Sequence, residues 1–434
     1  MSLSRRGAAA QDQPLRADLD AFFEALDDRY AAADNPRGKF TLTIAENALC
    51  WPELDARFRA VQRAEPTPEW VPGYTDILGA PELRQAVCGM LHRHLGVPAL
   101  DPERMVVAAG AAAVIEMSAL LLADAGDVAV IPGPAYMAYT PDIGNKAGVA
   151  RYDLHPAATP AVPFPVQFAH TVADLDRARA ELGDRFRMLI LTQPNNPSGQ
   201  IFSAAQLRDF AAWCVRHRVH MIVNEIYAFS RLDRHHPDLA DDYAGAPDFV
   251  SFLPLVEEHA SPYLHWWYSL SKDFGVSGFR LGMLYSRNAD LLKAWGNIGS
   301  TSMSSNHSQW LAQRLLEDDA WLTDYFAINR RRLTASYALV VRTLRRHGVA
   351  YAPAAGSLFV WFDLGHLLGA PTDEGEMALW QRVYDETGIL LTSPVGQGSP
   401  RRGWYRMVYS CVPLTELTVA MQRLSDFLAQ AGPA

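Results

Sequence analysis

Residues 268–282 read YSLSKDFGVSGFRLG, a stretch that joins a short apolar run to a lysine in unusual company. The apolar run at residues 265–269 predicts a buried strand. Lys272 follows two serines and stands eight residues before Arg280. Serine hydroxyls and a guanidinium group hold phosphate, and a lysine amine forms Schiff bases. The stretch therefore predicts a phosphate site beside a reactive lysine, on the loop that follows a strand.

Lysine is scarce in this chain, which narrows the choice of a nucleophilic lysine. Only four lysines occur among 39 basic residues: Lys39, Lys146, Lys272 and Lys293. A lone lysine after a strand is usually a solvated surface charge. Lys272 alone has serines and an arginine close by in sequence, so it is the candidate for Schiff-base chemistry.

Apolar runs alternate with amphipathic segments on both sides of this stretch. The predicted strands cover residues 105–109, 127–131, 188–192, 219–223, 265–269, 357–362 and 406–409. The predicted helices cover residues 15–33, 81–94, 114–122, 204–217, 304–317, 321–346 and 413–429. Continuous apolar strands that alternate with helices are typical of an α/β domain built around a buried, mostly parallel sheet.

The pattern changes after about residue 300. Two long helices come first, and two strands and a closing helix follow, which predicts a second, smaller α+β domain. We expect an N-terminal arm with part of the small domain at residues 1–54. The large domain is expected at residues 55–300 and the small C-terminal domain at residues 301–434.

Small and polar residues stand at three more predicted strand ends, where open α/β sheets place their ligands. NNPSG occupies residues 195–199, Asn224 and Tyr227 follow the strand at 219–223, and Gly110 stands between a strand and a helix. The free N–H groups at a helix N-terminus bind anions. Asn, Pro, Ser and Gly are also the usual turn formers. Taken singly, these positions are therefore also compatible with plain turns.

Composition and charge exclude several classes of protein. The 434 residues carry 39 basic and 48 acidic side chains, a formal net charge of −9, and 49% of them are hydrophobic. An acidic chain without a basic run is a poor nucleic-acid binder. No apolar run is long enough for a membrane span, and no leader-like segment stands near the start, so we expect a cytoplasmic protein. The four cysteines are widely spaced, so we expect them to be reduced and structural, with no metal site.

Together these motifs resemble those of the class I/II aminotransferase superfamily, whose members are fold-type I enzymes dependent on pyridoxal phosphate. The resemblance extends from about residue 35 to residue 430 and is most specific in residues 268–282 and in NNPSG. Three segments are similar to those of the 1-aminocyclopropane-1-carboxylate synthases: NPRGKFTLTIAENAL at 35–49, AGSLFVWFDLGHLL at 355–368 and GWYRMVYS at 403–410. The resemblance implies a large domain with a mostly parallel seven-stranded sheet flanked by helices, a smaller α+β domain, and a homodimer.

The resemblance also implies roles for the residues near the substrate. Lys272 would form the Schiff base with the cofactor and remove the substrate's α-proton. Arg406 would take the substrate α-carboxylate as a bidentate pair. Glu46 matches the acidic residue that lies near the sulfonium substrate in the synthases. Tyr74 matches the tyrosine that one subunit contributes to its neighbour's site.

Other matching residues would hold the cofactor. Tyr136 would stack on the pyridine ring, while Asn196 and Tyr227 would hydrogen-bond its phenolic oxygen, and Tyr227 is implied in catalysis as well. The residues implied to hold the phosphate are Gly110, Ala111, Ala112, Ser269, Ser271 and Arg280.

Asn224 departs from the family pattern. Three residues before Tyr227 the family carries an aspartate, whose carboxylate keeps the pyridine nitrogen protonated. An asparagine is neutral, so it donates to an unprotonated nitrogen and does not stabilise a pyridinium. Loss of a buried ion pair of this kind is worth a few kcal/mol. Side chains alternate along a strand, so the adjacent Glu225 is expected to point away and is no substitute.

Two smaller departures concern the phosphate turn and the loop at residues 73–84. Ala112 stands where a hydroxyl residue often completes the phosphate turn. Tyr74 stands five residues before Gly79, as in many aminotransferases, whereas the synthases carry Tyr-His directly before that glycine. These changes argue against a plain aminocyclopropane synthase and are compatible with a sulfonium substrate.

Three functions follow from these observations and stay open at this point. The first is a pyridoxal-phosphate enzyme acting on an amino acid with a γ-leaving group, chiefly S-adenosylmethionine, by γ-elimination, cyclisation or γ-replacement; Glu46 favours it. The second is an aminotransferase working between an amino acid and a 2-oxo acid, favoured by Tyr74. The third is a non-catalytic cofactor-binding protein, supported by Asn224 alone and opposed by Lys272 and Arg406.

Overall fold

The computed structural model describes residues 2–11, 16, 18–158 and 164–431. In it the segment that carries Lys272 follows an inner strand of a seven-stranded sheet. The strands are β1 (Met105–Ala109), β2 (Val128–Pro132), β3 (Ala150–Leu154), β4 (Phe186–Thr192), β5 (His220–Asn224), β6 (Leu264–Ser269) and β7 (Leu281–Ser286). They lie in the order β1-β7-β6-β5-β4-β2-β3. Strand β7 runs in the direction opposite to that of the other six strands. The carboxyl ends of the other six strands therefore meet at one edge, where such sheets bind ligands.

The strands of this sheet other than the edge strand β3 are buried on both faces. Leu189 and Leu191 of β4 pack into one apolar cluster, and Met188 and Ile190 pack into another on the opposite face. Successive side chains of a strand point to opposite faces. Two buried faces explain why the strands read as continuous apolar runs in the sequence.

Helices pack on both faces of this sheet, further helices belong to the smaller part of the fold, and some of them begin or end at recognisable residues. They are α1 (Arg5–Gln11), α2 (Leu19–Asp27), α3 (Trp51–Ala64), α4 (Pro81–Leu95), α5 (Ala111–Leu122), α6 (Tyr139–Gly144), α7 (Val172–Leu182), α8 (Ala204–His217), α9 (Leu253–His259), α10 (Leu270–Asp273), α11 (Ala289–Ile298), α12 (Asn306–Leu316), α13 (Asp319–Arg346), α14 (Asp373–Thr387) and α15 (Leu414–Ala431). Ser203 and Gln206 form a capping box at the start of α8. Gly96 ends α4 in the left-handed conformation. Within the described residues, none of these helices has the length and apolarity that crossing a lipid bilayer requires.

A second, three-stranded sheet forms the smaller part of the fold. Its strands are β8 (Tyr351–Ala352), β9 (Phe359–Asp363) and β10 (Trp404–Val408), in the antiparallel order β10-β9-β8. Residues of α13, α14 and α15 share its apolar core. The expected fold class, a mostly parallel seven-stranded sheet flanked by helices plus a smaller α+β part, is confirmed. The residue boundaries expected for the domains stay a prediction.

The structure differs from the sequence pattern in the bounds of one helix and in several elements that the pattern did not predict, among them strand β8 and helices α3, α7 and α14. The helix expected at residues 15–33 is wrong in its bounds, since α2 covers Leu19–Asp27 and the chain then pairs through an Arg29–Lys39 bridge; residues 12–15 and 17 lie outside the described residues. Strands β3 and β7 were not expected. The edge strand β3 is ARYDL, whose polar residues weaken the apolar signal, and β7 follows directly on the loop that carries Arg280.

Candidate active site

A cavity of about 220 Å³ lies at the carboxyl-end edge of the large sheet. The predicted site residues that line it are Ala111, Ala112, Tyr136, Asn196, Asn224, Tyr227, Ser271, Lys272, Arg280 and Arg406. They come from the loops after β2, β4 and β6, from the end of β5 and the loop that follows it, from the start of α5, and from β10 of the small sheet. Its volume falls just below the range of about 300–1,000 Å³ for drug-sized ligands and suits a single-ring cofactor.

Lys272 lies on α10, three residues after the end of β6. Its ammonium group donates to the backbone oxygen of Ala45 at 2.6 Å. Burial and, after it, the charge of Arg406 lower the pKa of Lys272 to about 8, while the charge of Glu46 acts in the opposite direction. This brings the amine close to its neutral form at physiological pH, as a Schiff-base lysine or a general base requires.

Arg406 projects from β10 into the same cavity and is held at three nitrogens. Nε donates to Thr392 Oγ1 at 2.9 Å, Nη1 to Asn196 Oδ1 at 2.8 Å and Nη2 to the backbone oxygen of Thr43 at 2.7 Å. No carboxylate lies within 4.0 Å of this guanidinium among the described residues, and burial lowers the pKa of Arg406 to about 10. A buried guanidinium without a counter-ion is suited to a ligand carboxylate.

Two polar groups beside Arg406 have donors left for a ligand. Asn196 uses its amide oxygen on Arg406, which leaves its NH₂ group for the cavity. Tyr227 is 2% exposed, and its hydroxyl has no hydrogen-bond partner within the described part of the chain. Burial raises the pKa of Tyr227, so the hydroxyl stays protonated and able to donate. Together the two side chains suit a ligand oxygen that carries negative charge.

The opposite end of the cavity is built to hold an anion. Helix α5 begins directly after Gly110, whose φ is +89°. A Cβ atom at Gly110 would lie 2.4 Å from the guanidinium of Arg280, so only glycine lets this arginine approach the helix N-terminus. A Cβ atom at Gly282 would lie 2.4 Å from the carbonyl carbon of Gly110. The free N–H groups of α5 and the arginine therefore form one cradle for a phosphate.

The serine hydroxyls of this end divide into two kinds. Ser271 and Ser277 line the cavity. Ser269 does not: its hydroxyl donates to the backbone oxygen of Leu281 at 2.8 Å and accepts from the N–H of Ser271 at 3.1 Å. Ser269 thus fixes the position of Ser271, and Ser277 is an additional hydroxyl that the sequence motif did not single out.

The donor set of the cavity fits pyridoxal phosphate. An anion cradle stands at one end, the Lys272 amine lies within reach of an aldehyde, and Asn196 and Tyr227 offer donors to a phenolic oxygen. Tyr136 supplies an aromatic wall, its ring centroid 5.5 Å from that of Tyr139. Each functional group of the cofactor therefore has a chemically matching group in the wall.

Asn224 lies at the end of β5 with its amide orientation fixed. Its Oδ1 accepts from the backbone N–H of Ile226 at 3.2 Å. Because that N–H only donates, the Nδ2 group is on the other side, where it donates to the hydroxyl of Tyr139 at 3.0 Å. The Tyr139 hydroxyl lies 2.7 Å from Thr192 Oγ1. One amide proton of Asn224 therefore remains for a ligand acceptor in the cavity.

Glu225, the next residue, points away from the cavity as expected from strand alternation. Its carboxylate accepts from Gln193 Nε2 at 3.0 Å, from Trp266 Nε1 at 2.8 Å and from the N–H of Phe252 at 2.7 Å. Burial raises its pKa. This carboxylate belongs to the packing behind the sheet and is no substitute for an acid at residue 224.

The sequence pattern did not indicate one acidic residue of the cavity wall. Asp142 of α6 lines the cavity on the side of Tyr139, one helical turn further along. Burial and, after it, the charge of Glu116 raise the pKa of Asp142 to about 7. The wall thus contains a carboxyl group that changes its protonation near neutral pH.

Two predicted substrate residues lie outside the cavity wall. Tyr74 is fully exposed on its own chain, at 102% of the reference area. Glu46 is exposed, and its backbone oxygen accepts from Ser410 Oγ at 2.6 Å. The preceding residue, Ala45, lines the cavity and accepts from Lys272, so Glu46 lies at the rim of the cavity, and its charge acts on the pKa of Lys272.

Arg16, from the N-terminal arm, is a cavity residue that the sequence motifs do not indicate. Its guanidinium forms a bidentate pair with Asp18 and donates to Thr43 Oγ1 at 2.9 Å. The backbone oxygen of Thr43 holds Arg406. The arm is therefore tied to the carboxylate end of the site through a single threonine.

Comparison with known proteins agrees with this geometry. The sequence matches the family described as aminotransferase class I and II over residues 44–424. The 1-aminocyclopropane-1-carboxylate synthase 5 of Oryza sativa subsp. japonica is 31% identical, over 97% of this chain and 78% of its own. The 1-aminocyclopropane-1-carboxylate synthase-like protein 1 of Homo sapiens is 31% identical, over 93% of this chain and 78% of its own.

Solved structures show the same fold at lower sequence identity. Aspartate aminotransferase from Thermotoga maritima has a TM-score of 0.73 and 20% identity, over 98% of this chain and 100% of its own. An archaeal alanine:glyoxylate aminotransferase has a TM-score of 0.79 and 17% identity, over 99% of this chain and 98% of its own. From its fold and its sequence, this chain belongs to the class I and II aminotransferase family of pyridoxal-phosphate-dependent enzymes.

Proposed function

We propose that this enzyme acts on an amino acid with a γ-leaving group, chiefly S-adenosylmethionine, by removing the α-proton and then carrying out γ-elimination, cyclisation or γ-replacement, including carbon–carbon bond formation. The likeness to aminocyclopropane-carboxylate synthases over nearly the whole chain supports this substrate class. The observation that carries the proposal is the neutral amide of Asn224 at the end of β5. A neutral partner holds electrons in the cofactor ring less firmly, which favours their use in expelling a leaving group.

Arg406 binds and orients the amino acid. Its three hydrogen bonds to Thr392, Asn196 and Thr43 fix the guanidinium before substrate arrives, so little side-chain entropy is lost on binding. The substrate carboxylate supplies the negative charge that no described side chain provides within 4.0 Å of this guanidinium. The bound α-carbon is thereby directed toward Lys272, on the same cavity wall.

Lys272 accepts the α-proton of the substrate. Lys272 would hold the cofactor, and with substrate bound its amine, whose pKa is lowered by burial, would serve as the base at the α-carbon. The backbone oxygen of Ala45, 2.6 Å away, holds the ammonium form after the proton has been taken. The neutral form thus acts as base, and the protonated form has a fixed resting place.

Pyridoxal phosphate, when bound, delocalises the electron pair left at the α-carbon. The protein sets how strongly it does so through the group facing the ring nitrogen. Asn224 offers one amide proton there, while Tyr139 and the N–H of Ile226 prevent the amide from turning over. Arg280 and the α5 N-terminus hold the phosphate end.

The charges of the cavity leave room for a cationic substrate. The cofactor phosphate neutralises Arg280, the α-carboxylate neutralises Arg406, and Asp18 already pairs with Arg16. Glu46 near the mouth then remains as an acidic group without a cation partner within 4.0 Å among the described residues. A sulfonium group is attracted to this carboxylate.

We further propose that the enzyme is a cytoplasmic homodimer with Tyr74 serving its neighbour's site. Tyr74 is fully exposed on its own chain, so its side chain is accessible to a second subunit. The hydroxyl of Tyr74 would reach the cofactor phosphate of the neighbouring chain, beside that chain's Arg280.

The reaction is tested by mixing the cofactor-loaded protein with S-adenosylmethionine. Methylthioadenosine should be released in step with consumption of the amino acid, and a transient long-wavelength absorbance of the bound cofactor should accompany it. The Lys272→Ala protein serves as the blank for non-enzymatic breakdown. An intact substrate after many hours with the loaded wild-type protein contradicts the proposal.

Aminotransferase activity is the second candidate, because the matched family carries that name over most of the chain. It is distinguished in the same experiment by supplying a 2-oxo acid and measuring the amino acid formed from it. Stoichiometric exchange of amino groups without methylthioadenosine selects this alternative. Absence of both products selects the non-catalytic one.

A further inference from the structure

A second cavity, of about 620 Å³, lies away from the cofactor site between the loop after β5 and helix α13. Its floor is aromatic: the rings of Phe229 and Phe326 stack with centroids 4.4 Å apart and planes 8° apart. Three arginines line it, namely Arg231, Arg330 and Arg331. None of them belongs to the proposed catalytic machinery.

None of these three guanidinium groups forms an ion pair within the described chain, although the buried Asp273 opposes the lowering of the pKa of Arg231. No carboxylate lies within 4.0 Å of any of them there, although many other arginines of the protein are so paired. Arg231 also has a buried Nε without a hydrogen-bond partner. Burial, and after it the charge of Arg330, lowers the pKa of Arg231. The wall is therefore cationic, and one buried donor of Arg231 is left for an acceptor.

The other charged groups in this cavity do not neutralise the arginines. Asp233 is the acidic residue in the wall, and its Oδ1 accepts from the N–H of His235 at 3.0 Å. The Nε2 of His94 lies 2.9 Å from Asp319, so this ring is already engaged. His236 faces the cavity with its Nδ1 3.9 Å from Asp238. The surplus of positive charge is therefore local, in a chain whose formal net charge is −9.

We propose that Arg231, Arg330 and Arg331 form a second anion site, which binds a small ligand of the phosphate class. A guanidinium fork matches the spacing of phosphate oxygens, and three forks call for a group with two or more negative charges. The cavity is larger than a single inorganic ion requires, and the aromatic floor accommodates an apolar portion beside the anionic one. This inference is independent of the reaction proposed above.

The test measures binding of inorganic pyrophosphate to the cofactor-loaded protein by calorimetry at constant ionic strength. Loading matters because the bound cofactor occupies the other phosphate cradle. We expect one pyrophosphate per chain. Each lost charged hydrogen bond costs about tenfold in affinity, so Arg330→Gln with Arg331→Gln should weaken binding by about a hundredfold.

Both substituted arginines are exposed, so this double variant is expected to fold. Arg208→Gln removes an exposed arginine of α8 that does not line the cavity and should leave the affinity unchanged. The Arg231→Gln variant tests the site a second time, by measuring pyrophosphate binding after loss of the most buried of the three arginines. The proposal is overturned if pyrophosphate does not bind at millimolar concentration. It is equally overturned if the double variant binds as tightly as the parent, since the anion then lies elsewhere.

Discussion

Replacing Asn224 by aspartate is the sharpest perturbation of this enzyme, because it changes a charge and almost nothing of the shape. Asn224 is 6% exposed and is fixed by Ile226 and Tyr139. Both carboxylate oxygens of the variant would be hydrogen-bonded, since the Tyr139 hydroxyl can turn from Thr192 and donate instead. The remaining negative charge faces the ring nitrogen.

The expected size follows from elementary electrostatics. Two unit charges about 4 Å apart attract by about 4 kcal/mol at an effective dielectric constant of about 20. One pKa unit corresponds to about 1.4 kcal/mol, so the gain is at most about three units. Desolvation of the carboxylate takes part of it. We therefore expect Asn224→Asp to raise the pKa of the ring nitrogen by about one to two units.

Two measurements check this expectation. The absorbance of the bound cofactor, followed against pH, should titrate at higher pH in Asn224→Asp than in the parent. During turnover the long-wavelength absorbance should rise and transamination should gain on γ-chemistry, because a longer-lived carbanion has more time to be reprotonated. Tyr139→Phe is the matched control, since it loosens the amide without adding charge. An Asn224→Asp protein whose titration and product ratio match the parent refutes the reasoning, and a large gain in every reaction would mark Asn224 as a disabling residue.

The remaining predictions concern the catalytic lysine, the substrate arginine and the dimer. Lys272→Ala should abolish both borohydride-trapped cofactor and turnover, whereas Lys146→Ala should not; cofactor still trapped in the first variant would remove Lys272 from its role. Only a neutral amine attacks an aldehyde, so capture of cofactor by the cofactor-free protein should rise with pH through a midpoint of about 8, and a midpoint near the ordinary lysine value of 10.5 would contradict the effect of burial. Arg406→Lys should raise KM for the amino acid at least tenfold, because a point charge replaces a bidentate fork; an unchanged KM would exclude Arg406 as the carboxylate site. Mixed dimers of Tyr74→Phe and Lys272→Ala chains should recover activity that neither variant has alone, and a fully active monomer would end the shared-site proposal.

The sequence contained enough to predict the fold class, since its central strands are continuous apolar runs that alternate with amphipathic helices. It was insufficient where an element lacks that signal. Strand β7 begins directly after Arg280, whose left-handed φ of 55° turns the chain back antiparallel beside β6. The edge strand β3 carries Arg151 and Asp153 on a half-exposed face. The N-terminal arm depends on contacts with Thr43 that no local pattern encodes.

The residues of the candidate site likewise differ in whether a sequence motif indicates them. Lys272, Asn196 and Arg406 stand in specific motifs, and the structure collects them in one cavity. Tyr139 and Asp142 stand in no motif, because each acts through what α6 packs against and not through its neighbours in sequence. Only the tertiary structure brings them to the cavity wall.

The electrostatics of the cavity connect Asn224 with the lysine as well as with the ring nitrogen. Burial and the charge of Arg406 lower the pKa of Lys272, and an acidic group such as Glu46 raises it. An aspartate at residue 224 would add a second such group to the wall and hold the amine more firmly as ammonium. With Asp142 losing its proton at about pH 7, the wall already gains one negative charge near neutrality. A neutral residue at position 224 therefore limits the negative charge around Lys272 and keeps more of it in the basic form that abstracts the α-proton.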